Sequence, residues 1–88
     1  MVDEKDEMKV KVLFFAHCRE IAGSEKMEVE LKEGARGRDL LHSLGEKFPK
    51  FEELFSFVAL AVNEEYVNSD ILLKDGDTVS LIPPVSGG

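Results

Sequence analysis

The chain lacks tryptophan altogether and has one cysteine, one tyrosine, two histidines and three prolines in 88 residues. A single cysteine, Cys18, excludes an internal disulfide and any cysteine-based zinc cluster. Its free thiol fits a reducing compartment. Two histidines, His17 and His42, are too few for a structural metal site, which normally takes four ligands, so no metal is expected. Basic residues are outnumbered: 11 Lys and Arg against 18 Asp and Glu leave a formal net charge of -7. Phosphate backbones and anionic membranes repel such a chain, which speaks against nucleic-acid and membrane-surface roles and favours a basic protein partner. No apolar run approaches a membrane span, and the start, Val2 to Glu7, is acidic where a leader would be basic and then apolar. A cytoplasmic location is the expectation. The length allows one small domain, with no deep interior for a closed active site.

What is present is organised by alternation. Met8 to Ala16 reads as a strand with Val10, Val12 and Phe14 toward the core and Lys9, Lys11, Leu13 and Phe15 opposite. Arg19 to Gly23 suits one helical turn stopped by glycine. Lys26 to Leu31 alternates again, with Met27, Val29 and Leu31 on one side. Leu40, Leu41, Leu44 and Phe48 give one apolar stripe, which predicts a helix from about Arg38 to Phe48, ended by Pro49 and weakened at Gly45. Phe51, Leu54, Phe55 and Phe57 are expected as an apolar cluster covering the core edge. Val58 to Val62 reads as a buried strand, Tyr66-Val67 as a short edge strand, and Thr78 to Ile82 as the last strand. Lys74 to Asp77 is a turn around Gly76, which accounts better for Asp75 and Asp77 than a metal dyad does. Arg19 and Glu20 suit either a surface pair or a contact with another protein.

This order predicts an α+β domain: one mixed sheet with a main helix across one face. Nothing remains to cover the other face, so Leu13, Phe15, Ile82 and Tyr66 are expected to lie open on it for a partner. The division expected is an acidic extension at 1–7, a domain at 8–82 and an extended tail at 83–88. In that tail Pro83 and Pro84 favour an extended path, and Val85-Ser86-Gly87-Gly88 offers little to pack. A carboxylate reached past two glycines can enter a narrow channel in another protein, because glycine accepts whatever backbone angles the channel imposes.

Lys11-Val12-Leu13-Phe14-Phe15-Ala16, then Arg19-Glu20 and Gly23, Val62-Asn63, Asp75-Gly76-Asp77 and Pro83-Pro84-Val85-Ser86-Gly87-Gly88 together resemble the molybdopterin synthase small subunit family, within the ubiquitin-like sulfur carriers. The resemblance spans Met8 to Gly88. It implies a β-grasp fold and a chain that is not an enzyme on its own. It further implies that a ubiquitin-activator-like adenylating enzyme uses ATP to place AMP on Gly88. Sulfur from a cysteine desulfurase or rhodanese system then makes the thiocarboxylate. The large subunit of molybdopterin synthase, in a heterotetramer, takes the tail and passes the sulfur to cyclic pyranopterin monophosphate. No cofactor is implied to stay bound to this chain. By the same resemblance Gly87 serves tail flexibility, while Phe15, Tyr66, Ile82, Pro83, Pro84, Val85 and Ser86 bind partners. Other destinations share the Gly-Gly ending: a carrier for thiamine thiazole synthesis, a protein modifier joined to lysines, or a plain β-grasp interaction module.

Overall fold

The computed structural model describes residues 7–83. Its elements run β1 (Glu7–Phe14), α1 (His17–Ala22), β2 (Lys26–Lys32), α2 (Gly37–Lys47), a 3₁₀ helix (Pro49–Glu53), β3 (Ala59–Val62), β4 (Glu65–Val67) and β5 (Thr78–Ile82). The five strands form one sheet in the order β2-β1-β5-β3-β4. β1 and β5 pair in parallel at its centre, and the other pairings are antiparallel. This is the ubiquitin-like β-grasp arrangement, α+β with one main helix on one face.

The alternation in β1 decides which face the helix covers. Met8, Val10, Val12 and Phe14 are all buried, and across the sheet Val29, Leu60, Val79 and Leu81 join them. α2 lays Leu40 and Leu44 on this layer, both fully covered, with Leu41 and Phe48 packed at its edge. Its first turn is tied down by the Arg36 N–H, which donates to the Asp39 carboxylate at 2.8 Å. A carboxylate there satisfies an amide that the helix itself leaves unpaired, and it opposes the helix dipole.

Phe51, at the 3₁₀ helix, closes one end of the core. Its ring is stacked against Phe14 and Phe55 at 5.8 and 5.7 Å and meets Phe48 edge-on at 5.7 Å. This packing explains Gly45, a residue that helix propensity alone disfavours by about 1 kcal/mol. A Cβ at Gly45 would stand 3.2 Å from Phe55 Cε2 and 3.3 Å from Glu52 Cγ. The missing side chain lets the 3₁₀ helix and the residues after it lie close on α2.

Phe57 departs from expectation. It does not join the cluster of Phe51, Leu54 and Phe55 but is 64% exposed. Phe57 still lies in the turn, where its N–H donates to the Leu54 carbonyl at 2.8 Å, and β3 begins only at Ala59, so the ring is left in solvent. β1 is also shorter than expected. It stops at Phe14 because Ala16 adopts a positive φ of 48° ahead of α1, and Phe15 lies just beyond the strand.

Candidate functional site

The uncovered sheet face divides into two halves, and register separates them. On the β2 side, Lys9 stands opposite Glu30, Lys11 opposite Glu28 and Glu7 opposite Lys32. Opposite charges facing across strands stabilise a solvated surface by about 0.2–1 kcal/mol per pair, and this half is complete in water. The other half is small or apolar. Leu13 pairs with Ser80, Ser80 with Ala61 and Ala61 with Tyr66, so one row crosses four strands. The next row toward the end of β5 holds Ile82 opposite Ala59. Phe15 follows Phe14, whose parallel partner is Leu81, and so reaches the level of Ile82.

Tyr66 is 74% exposed and Phe15 40% exposed, whereas Ile82 and Pro83 are half-buried. Three of the residues expected on the open face, Tyr66, Ile82 and Leu13, thus occupy adjoining rows. Phe15 borders them at the end where β5 finishes. Pro84, Val85, Ser86, Gly87 and Gly88 lie outside the described residues, as do residues 1–6.

The last strand is held at its start by a network that periodicity does not reveal. Asn63 accepts from the Thr78 N–H through Oδ1 and donates through Nδ2 to the Asp77 carboxylate, both at 3.0 Å. Asp77 also accepts from the Lys74 N–H, and Asp75 from the Lys9 N–H, each at 2.8 Å. Both carboxylates are therefore spent on backbone and amide donors around Gly76, whose φ is 88°. The local signal at Asn63 is a turn between two short strands, and nothing in it points to Asp77 or Thr78.

Cys18 offers no nucleophile. It is fully covered within the core, and burial pushes its thiol above the ordinary value of 9.0. The folded state favours the neutral thiol. Cys18 therefore costs no stability below that value and erodes it only as pH rises beyond. Iodoacetamide should leave Cys18 unlabelled in native protein and label it once denaturant is added. Rapid native labelling, read by mass, would contradict its burial.

The remaining polar residues make surface contacts. His17 lies 3.4 Å from Glu20, and His42 lies 3.7 Å from Glu46. Arg19 reaches Glu25 at 3.9 Å rather than Glu20. Among the described residues no three His, Cys, Asp or Glu side chains gather as metal ligands. No helix there is long and apolar enough to cross a membrane.

The ThiS family matches residues 12–88 of this chain. The molybdopterin synthase sulfur carrier subunit of Chlamydomonas reinhardtii is 42% identical over 83 residues, spanning 92% of this chain and 100% of that protein. Among solved structures, a Pyrococcus furiosus protein described as molybdopterin converting factor subunit 1 superposes with a TM-score of 0.81. It is 44% identical and covers 89% of this chain and 99% of its own. Small archaeal modifier protein 1 of Methanosarcina acetivorans gives 0.80 at 28% identity, with 93% and 98% covered. A complex of subunits 1 and 2 of the molybdopterin-converting factor from Helicobacter pylori contains a chain at TM-score 0.66 and 30% identity, with 92% and 100% covered.

Proposed function

The chain belongs to the ThiS family, and from that premise we propose that it is a cytoplasmic sulfur carrier for molybdopterin synthesis, working through the carboxylate of Gly88. The observation that carries this reading is the 42% identity, along nearly the whole chain, to a molybdopterin synthase sulfur carrier subunit. A free carboxylate does not accept sulfur, because oxide is a poor leaving group. In the proposed cycle a carboxylate oxygen of Gly88 attacks the α-phosphate of ATP on an adenylating enzyme, and pyrophosphate leaves. The outer sulfur of a persulfide on a desulfurase or rhodanese then displaces AMP from the acyl carbon. A second thiol attacks the resulting acyl disulfide, releasing the thiocarboxylate and forming a protein disulfide that cellular thiols reduce. The large synthase subunit takes the charged tail, sulfur passes to cyclic pyranopterin monophosphate, and water restores the carboxylate.

In this cycle the folded domain presents a surface, and the partners hold the catalytic groups. The half-apolar face of Leu13, Tyr66 and Ile82 is assigned to the large subunit, with Phe15 at its border and Pro83 to Ser86 leading toward the acceptor channel. The H. pylori complex of subunits 1 and 2 supports a partner of that kind. Phe15→Glu should weaken the complex at least roughly 30-fold, since it brings an unpaired charge to an apolar contact. Unchanged affinity by titration calorimetry would reject the assignment of Phe15.

The function itself is tested by incubating the chain with ATP, the adenylating enzyme and sulfide. Exchange of one oxygen for sulfur at Gly88, seen by mass, is the expected result. A second reading, a protein modifier joined to lysines, is favoured by the likeness to small archaeal modifier protein 1. It would show as Gly88 in isopeptide linkage.

A further inference from the structure

Beside the open-face row lies a cleft of about 280 Å³, lined by Leu13, Asn63, Glu64, Thr78 and Ser80. Glu64 is the unusual member. Val62 and Glu65 pair directly, so Asn63 and Glu64 are a two-residue hairpin turn. Both have positive φ, 51° and 73°. That turn favours Asn followed by Gly, because the left-handed region crowds a Cβ. Asn63 fits, and its side chain is bonded to Asp77 and Thr78. Glu64 does not fit. Its carboxylate enters no ion pair or hydrogen bond among the described residues. Lys11 stands between Glu28 on β2 and Thr78 on β5, and Lys26 stands opposite Leu13. The fold thus holds a charged side chain in an unfavourable backbone conformation without using the charge.

We propose that this cleft receives an arginine side chain of the protein that covers the open sheet face. The reading rests on the carrier function above and adds the chemistry of its partner. Leu13 supplies an apolar floor for the aliphatic stem of an arginine. Glu64 at the rim, with the Thr78 and Ser80 side chains beside it, supplies acceptors for a planar guanidinium with several donors. An acidic chain of net charge -7 is complementary to such a partner. The cleft adjoins Tyr66 through the row Leu13, Ser80, Ala61 and Tyr66, so a protein seated on that row also shields the pair from water.

The test uses the large synthase subunit and four forms of this chain: wild type, Glu64→Gln, Glu64→Gly and Phe15→Glu. Both Glu64 substitutions should lower affinity roughly 5- to 10-fold at low salt and flatten its salt dependence. Glu64→Gly should at the same time raise Tm by roughly 2–5 °C, because glycine relieves the turn. A variant that is more stable yet binds worse separates recognition from folding. Wild-type affinity and salt dependence in both Glu64 variants, with Phe15→Glu still impaired, would overturn the arginine site alone. Absence of any complex with the wild-type chain would overturn the carrier reading and this site with it.

Discussion

Removal of Gly88 should abolish sulfur loading and leave the domain folded. Among the described residues the last fully buried one is Leu81, and β5 ends at Ile82, six positions before Gly88. Deletion spares every residue of that core, and Tm should move by less than about 2 °C, within the range of surface changes. The chemistry responds differently. Losing one residue shortens an extended chain by roughly 3.5 Å, so the new carboxylate falls short of the position a channel was shaped for. A misplacement of about 1 Å already costs on the order of 100-fold, and loading should drop by at least that factor. The rate of AMP-dependent sulfur incorporation, measured by mass beside a melting curve, decides the matter. Loading near the wild-type rate would mean that the terminal carboxylate is not the working group.

Phe51→Ala should remove a large part of the domain's stability. The ring is fully buried and contacts Phe14, Phe48 and Phe55, linking the 3₁₀ helix to the end of β1. Truncating a buried Phe costs about 3–5 kcal/mol, against a total of about 5–15 kcal/mol for ordinary domains and toward the low end for small ones. Phe57→Ala provides the contrast. That ring is 64% exposed, and its loss should change stability by less than about 0.5 kcal/mol. Urea midpoints for the two variants test the placement of both rings. Equal losses would contradict it.

The difference between these two phenylalanines marks where the sequence stops being legible. Strands announce themselves by period-two alternation, and β1, β2 and β5 lie where Val10-Val12-Phe14, Met27-Val29-Leu31 and Val79-Leu81 put them. The open face was legible for the same reason: a single helix covers one side of a sheet, and alternation tells which residues that leaves. In the segment between α2 and β3 no period holds long enough to decide direction, so four apolar residues looked alike and only three packed inward. Gly45 opposes helix propensity, and only the closeness of Phe55 and Glu52 accounts for its missing side chain. Asn63 and Glu64 form the turn between two short strands, but the work of Asn63 depends on Asp77 and Thr78, fourteen and fifteen residues away, which no local pattern connects.

The Gly88 carboxylate stands at the centre of the account. The most direct measurement is the intact mass of this protein purified from its host under denaturing, non-reducing conditions, with the tail peptide sequenced. The expected result is a fraction in which one carboxylate oxygen of Gly88 is replaced by sulfur. A Gly88 found joined to lysines of other proteins, with no thiocarboxylate even when ATP, adenylating enzyme and sulfur donor are supplied together, would contradict it.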